Sequence, residues 1–275
     1  MDMKLLTVLS KELQRAGRWD IDFHLPPTEI KRFPSEVVIS VWECADIIKT
    51  KRDPTKKPEE IFQYVDIASV DVESGVIVRP QELTGEEAPS RARKVIHAYD
   101  IIISNCRPTR GAIAVIPEEL HGQICSTGFS VIRAKKGINP FYLHYALRLP
   151  STLEQFRKWS TGSSYPAILD EDVSKTKIPM PERAVQDAIS GILRGATRER
   201  EQAIQAANDA WKRSIESVTG ALCEGKEVRM HVVKNHFVYS VEEIEQRLAA
   251  LAPVNEEPIS DEEELLAQSL FEEEE

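Results

Sequence analysis

Four groups of basic side chains carry the chemistry this sequence can offer. Lys49, Lys51, Arg52, Lys56 and Lys57 surround a single Asp53 in a proline-broken stretch, and Arg91, Arg93 and Lys94 follow Pro89-Ser90. Arg107 and Arg110 flank a turn, and Arg133, Lys135 and Lys136 lie at the end of a β-rich run. Loops and strand ends are where a scaffold presents binding groups. Lysine and arginine there can neutralise phosphates, and arginine can also grip guanine edges in the major groove. Each group taken singly also reads as a solvated surface. Residues 1–181 hold 25 basic and 24 acidic side chains, so it is clustering and not excess that points to an anionic partner.

Catalytic constellations are hard to find. There is no G-x-x-x-x-G-K-[ST] phosphate loop and no G-x-G-x-x-G dinucleotide turn. Gly128-Phe129-Ser130-Val131-Ile132 lacks the second glycine that lets a nucleophile elbow turn sharply. His231 and His236, five apart and outside any H-E-x-x-H pattern, read as packing or surface histidines. With 45 carboxylates present, pairs such as Asp170/Asp172 carry little weight. No catalytic residue, cofactor or metal is expected, and the chain reads as a non-enzyme.

The elements that must position these groups form an α+β chain. Residues 1–181 read as a mixed α/β domain, with β-rich runs at 37–41, 63–70, 76–78, 101–104, 112–116 and 129–133 separated by turn-forming segments. A helix is expected after Pro140 through Leu149, and another over 153–159. From Glu182 to Cys223 there is no proline and the apolar residues recur helically. One stripe runs Val185, Ile189, Ile192, Ala196; a second runs Ile204, Ala207, Trp211, Ile215, Val218, Leu222. Their three-and-four spacing is the heptad rhythm of packed long helices, so residues 182–223 are expected to form a long, coiled-coil-like spacer or dimerisation helix. Two helices broken at Gly191 or Gly195 are the alternative, since glycine costs about 1 kcal/mol in a helix interior. Residues 224–252 suggest a small strand–helix extension, with Ser240 and Glu243 as a capping box. Residues 253–275 read as a disordered acidic tail.

The formal charge of −10 would seem to argue against nucleic acid. Residues 251–275, however, hold ten acidic groups and no lysine or arginine, which leaves 1–250 at zero. No apolar run approaches the roughly 20 residues needed to span a bilayer. The N-terminus lacks a signal-peptide layout, so a cytoplasmic protein is expected. Cys44, Cys106, Cys125 and Cys223 lie far apart, which favours buried reduced thiols over zinc or a disulfide framework.

Several segments, in order, resemble the target-recognition domains of type I restriction–modification specificity subunits. Arg18-Trp19-Asp20-Ile21-Asp22-Phe23-His24 with Pro26-Pro27 is similar to the entry segment. Tyr64-Val65-Asp66-Ile67-Ala68-Ser69-Val70 and Gly75-Val76-Ile77 resemble the first core strands. Ala88-Pro89-Ser90-Arg91-Ala92-Arg93 leads into Tyr99-Asp100-Ile101-Ile102-Ile103-Ser104 and Arg107-Pro108. Ser126-Thr127-Gly128-Phe129, Gly162-Ser163-Ser164-Tyr165-Pro166 and Lys177-Ile178-Pro179-Met180-Pro181 with Gln186 complete the series, which covers roughly 18–220. Each motif is loose alone; the order makes the set specific.

The resemblance implies a non-catalytic DNA recognition subunit that directs methyltransferase and restriction partner subunits to a DNA site. The β-rich domain would read double-stranded DNA, with Lys49, Lys51, Arg52, Lys56, Lys57, Arg91, Arg93, Lys94, Arg107, Arg110, Ser163 and Tyr165 as contacts, and the long helix would act as spacer. Two departures stand out. Specificity subunits usually carry two recognition domains and this sequence has one, which suggests either a homodimer through the long helix or a single reader. The acidic tail lies outside the family pattern. A reading from another class is a protein-interaction adaptor that uses the helix and tail without reading DNA.

Overall fold

In the computed structural model the described residues are 9–16, 18–19, 21–24, 27–162, 165–224 and 246. The chain divides into two units, Met1–Asn208 and Asp209–Glu275. The helices are α1 (Ser10–Ala16), α2 (Ile21–His24), α3 (Val41–Cys44), α4 (Pro140–Arg148), α5 (Pro150–Trp159), α6 (Asp170–Lys175) and α7 (Arg183–Glu224). The strands are β1 (Val38–Ser40), β2 (Ala45–Ile47), β3 (Ile61–Val65), β4 (Val70–Asp71), β5 (Val76–Ile77) and β6 (Gln81–Thr84), then β7 (Ala92–Val95), β8 (Ile101–Ser104), β9 (Ile113–Val115), β10 (Ile124–Ser126), β11 (Phe129–Ala134) and β12 (Lys177–Pro179).

Two four-stranded sheets, ordered β6-β3-β10-β7 and β2-β11-β8-β9, dominate the first unit, and two small pairs, β1-β12 and β4-β5, accompany them. Every pairing is antiparallel except β3 with β10. The fold is therefore α+β, with one mixed and one antiparallel four-stranded sheet, and it is followed by one long helix.

The core follows from strand alternation. Successive side chains of a strand point to opposite faces. Ile101 and Ile103 of β8 fall in one apolar cluster with Leu143 and Leu147 of α4 and Phe156 of α5. Ile102, between them, falls in a second cluster with Val65, Cys125, Phe129 and Val131. All four residues of β8 are buried. A run of three isoleucines is thus what a strand packed on both faces requires.

Helix boundaries obey capping chemistry. The Asn139 side chain accepts from the backbone N–H groups of Phe141 and Tyr142, and Pro140 fills the first helical position of α4. Pro150 does the same for α5. Ser40 and Glu43 form a capping box, the Ser40 N–H donating to Glu43 Oε1 at 2.7 Å, so the apolar run at 37–41 ends as α3 and not as a strand. Asp66 caps a one-turn 3-10 helix at Ile67–Ser69 and cuts the expected strand 63–70 in two.

α7 runs unbroken through Gly191 and Gly195, so the long helix is continuous. Its first turns dock on the domain: Asn139 N–H donates to Gln186 Oε1 at 3.0 Å, and the Asn139 amide donates to Asp187 Oδ1 at 2.6 Å. Ile189 packs against the first apolar cluster, which corrects its assignment to a partner surface. Farther along, the Arg194 guanidinium lies 4.3 Å from the Phe141 ring centroid. Arg200 pairs with Asp71 and Glu73 at 3.1 Å each. Along the rest of the helix Ile192, Ile204, Trp211, Ile215, Val218 and Leu222 are exposed.

Cys44 and Cys125 are buried, and burial pushes both thiols up to about 12. Cys223 is exposed, against the expectation of buried thiols throughout. Among the described residues no helix is long and apolar enough to cross a membrane. The strand–helix extension expected at 224–252, His231, His236 and the acidic tail at 253–275 lie outside the described residues, apart from Glu224 and Gln246.

Candidate nucleic-acid interface

Two of the four basic groups are laced together by backbone hydrogen bonds. Lys51 and Lys94 form an antiparallel bridge, Arg52 N–H donates to Arg93 O at 2.9 Å, and Val95 N–H donates to Thr50 O at 3.0 Å. Residues 50–52 thus extend the edge of β7. The chain then turns at Asp53, whose side chain accepts from Thr55 and caps the one-turn helix Pro54–Lys56. Asp53 is held below the usual carboxylate range first by the Thr55 hydroxyl, with Arg93, 3.4 Å away, adding to the effect. Gly85 lets this loop sit close: a Cβ there would meet Lys57 O at 2.2 Å and Pro54 O at 2.4 Å.

The loop encloses a cavity of about 330 Å³ lined by Lys51, Arg52, Asp53, Lys56, Lys57 and Phe62, among others. Lys49, Lys51, Arg52, Lys56 and Lys57 are exposed. Among the described residues only Lys57 of these has an ion pair, with Glu60 at 2.6 Å. An exposed pair of that kind contributes about 0–1 kcal/mol and is readily exchanged for a phosphate. Arg91 is exposed at the start of β7.

Lys94 belongs elsewhere. It is 9% exposed, its Nζ donates to Phe129 O at 2.5 Å, and Asp170 lies 3.9 Å away. Ser130 Oγ donates to Asn105 Oδ1 at 2.7 Å and also bonds Asp170. Lys94 is therefore a buried member of a polar network beneath the surface and not a free loop cation. Strand alternation explains it: in β7 Arg93 and Lys94 face opposite ways. Arg93 keeps its charge partly outward but donates to Pro89 O and Ala92 O. Arg133 is also engaged, since its Nε and Nη2 grip the fully buried Asp100 at 2.7 and 2.9 Å.

Arg107, Arg110 and Tyr165 form the second group. Arg107 has φ of 48°, the left-handed region that non-glycine residues rarely occupy, and precedes the one-turn helix Pro108–Arg110. Its N–H donates to Pro166 O at 2.7 Å, while Ile168 N–H donates to Asn105 O at 3.0 Å. Residues 105–107 are thereby tied to Pro166 and Ile168, beside the bridge between Thr161 and Ala167. The Arg107 guanidinium lies 4.8 Å from the Tyr165 ring centroid, and Tyr165 is 68% exposed. Arg110 is exposed at the far end of the turn. Ser163 lies outside the described residues.

One short turn joins the two groups. Thr127 N–H donates to Arg91 O at 2.9 Å, and Asn105 N–H donates to Gly128 O at 2.8 Å. The Ser126-Thr127-Gly128 turn therefore connects Arg91 to the Arg107 segment through backbone bonds alone. Asn105 is not among the residues singled out from the sequence, and Ser130 and Asp170 are set aside there, yet the three underlie this surface. No local signal could have linked them, because Ser130 is 25 residues from Asn105 and 40 from Asp170, and the three meet only through the Ser130 hydroxyl.

A family model described as the type I restriction modification DNA specificity domain matches residues 37–207. The chain belongs to this family. The matched span takes in both basic groups and the first half of α7. The specificity subunit of type I restriction enzyme HindI from Haemophilus influenzae is 29% identical over 111 residues, which is 39% of this chain and 24% of that protein. The HsdS subunit from Thermoanaerobacter tengcongensis, a solved structure, is 36% identical with a TM-score of 0.52, covering 68% of this chain and 48% of its own. A chain from a structure describing complex assembly and conformational transition of the type I R-M system is 37% identical with a TM-score of 0.53, covering 72% of this chain and 50% of its own. This specificity-family chain thus spans about a quarter of the HindI subunit and about half of the two solved chains.

Proposed function

We propose that residues 1–181 are a DNA target-recognition domain and that the chain is the non-catalytic reader of a type I-like restriction–modification complex, with methyl transfer and cleavage residing in partner subunits. The observation that carries this reading is the laced basic surface. Cations from residues 49–57, from Arg91 and from the Arg107–Arg110 turn hang on backbone segments bonded to one another, and most have no protein counter-charge among the described residues. Phosphate-binding surfaces have this form: rigid backbone, free lysine and arginine ends. The family membership and the HindI specificity subunit support the same reading.

Affinity for duplex DNA is expected to fall steeply between 50 and 200 mM salt, by roughly 10³-fold or more if six phosphates are engaged. Fluorescence anisotropy with labelled duplexes, with and without a purified methyltransferase subunit, measures it. Absence of binding to any duplex at low salt, even with that subunit present, would overturn the reading.

We further propose that α7 is the partner-docking spacer. Trp211, Ile215, Val218 and Leu222 recur at spacings of four, three and four, which puts them on one helical face, and they are 70, 47, 40 and 72% exposed. An exposed apolar stripe of this length marks a protein contact. Its occupant is a second copy, giving a two-fold reader of a palindromic split site, or a modification subunit. Light scattering should find either twice the 31.1 kDa chain mass or a mixed complex. Replacing Trp211 and Ile215 together with glutamate should abolish whichever assembly forms while leaving the urea midpoint of the β-rich domain in place. Unchanged assembly in the double variant would refute the docking role, and partner binding without DNA affinity would favour a protein-only adaptor.

A further inference from the structure

We infer that the surface divides its labour: the Arg107–Tyr165 pair reads base edges, while Lys51, Arg52, Lys56 and Lys57 hold phosphates. The inference rests on the DNA-recognition reading and deepens it. Three observations separate the two groups.

The first is how each cation is held. Arg107 is fixed at both ends, by a backbone in the left-handed region whose N–H is bonded to Pro166 O and by a guanidinium lying over the Tyr165 ring. The segment beneath is pinned by the bonds from Ile168 to Asn105 and between Thr161 and Ala167. Buried Pro108 and the packing of the Pro108–Arg110 turn against α5 complete the support. A conformation this unusual persists only where the surroundings over-determine it, and such positions gather at functional sites.

The second is what the guanidinium has left to offer. A cation–π contact with the Tyr165 ring occupies none of the guanidinium N–H donors as hydrogen bonds to oxygen. Among the described residues the Arg107 side chain makes no hydrogen bond or ion pair, in contrast to Arg93 and Arg133, whose N–H groups are bonded within the protein. A planar fork held near an aromatic ring with unused donors suits bidentate recognition of guanine O6 and N7.

The third is the character of the other group. Three of the four cations in residues 51–57 are lysines lining the cavity, and the four cationic side chains are exposed. Lysine is a mobile point charge, suited to phosphates and poor at reading an edge. Tyr165 supports the assignment too, since a ring 68% exposed can stack a splayed base as well as orient Arg107.

The test selects bound sequences from a duplex pool with a randomised stretch, using the full chain with its methyltransferase subunit. Arg107→Lys keeps the charge and removes the fork. It should erase base preference at one position of the selected motif, by about 5- to 150-fold, while other positions and binding to an unrelated duplex stay within about twofold. Tyr165→Ala should blur the same position and Tyr165→Phe should not. Lys56→Ala with Lys57→Ala should preserve the motif and weaken all sequences alike, lowering the salt slope by about 2. An unchanged motif in Arg107→Lys, or equal flattening at every position, overturns the assignment while DNA recognition stands. A wild-type chain that selects nothing and binds no duplex overturns both.

Discussion

Alanine at Lys51, Arg52, Lys56 and Lys57 together should reduce the slope of log K against log salt for duplex DNA by about 3 to 4, close to 0.9 for each phosphate no longer neutralised. At 0.1 M salt the same counterion release corresponds to a weakening on the order of a thousandfold. The effect is this large because all four side chains are exposed and lie within one short segment, residues 51–57. It should leave folding almost untouched. Among the described residues only Lys57 of the four has an ion pair, with Glu60, and a surface pair contributes about 0–1 kcal/mol. Urea denaturation of the quadruple variant should therefore superpose on that of the wild type. A variant that binds with the parental salt slope would show that the 49–57 loop does not touch the backbone of DNA.

Acid should destabilise the β-rich domain already near pH 5.5, and His144 is the reason. His144 sits on α4 beneath Gly75, so close that a Cβ on Gly75 would lie 2.4 Å from Nε2. Gly75 itself has φ of 71°. Burial is the main cause that holds the imidazole down to about 4; the Ile113 carbonyl, 3.0 Å from Nε2, opposes it and Arg148 adds to it. The unfolded value is near 6.5. Between these values the unfolded chain binds a proton that the folded domain refuses, so stability is full above about pH 6.5 and is lost as pH falls toward 4. The loss is on the order of 1 kcal/mol at pH 5.5 and about 3 kcal/mol at pH 4.

Urea unfolding at pH 7.5 and 5.5 measures that loss, and His144→Gln should remove most of the difference between the two. Asp71 and Glu154 titrate in acid as well, but their carboxyls lie below the ordinary carboxylate range, held there by hydrogen bonds from Ser74 and from Thr28 and Glu29 against the opposing effect of burial. Their contribution is lost only at lower pH. If His144→Gln loses as much stability at pH 5.5 as the wild type, the histidine is not the acid-sensitive group.

Elements with a strong local signature were legible in the sequence. Residues 101–104 and 129–133 read as strands because β-branched runs fit a pleated, buried surface, and β8 and β11 occupy those positions. Pro140 and the proline-free, periodic stretch after Glu182 marked α4 and α7, while the helix expected over 153–159 begins three residues earlier, at Pro150, as α5. Strands such as Gln81–Thr84 and Ala92–Val95 were not legible, since they are short and polar and owe their existence to partners distant in sequence.

The same division holds at the candidate interface. Residue types and clustering by themselves marked residues 49–57, Arg91, Arg107 and Arg110 as charge for an anion, because a cation's chemistry belongs to its side chain. Which of those charges are free was decided by tertiary structure. Lys94 is turned into a network with Phe129 O and Asp170, Arg133 is bonded to buried Asp100, and Arg107 is held over the ring of Tyr165, a residue far along the chain. Exposure and counter-charge are properties of three-dimensional neighbours, and strand alternation alone sends adjacent Arg93 and Lys94 to opposite sides. Composition set the kind of partner; packing chose the residues left to meet it.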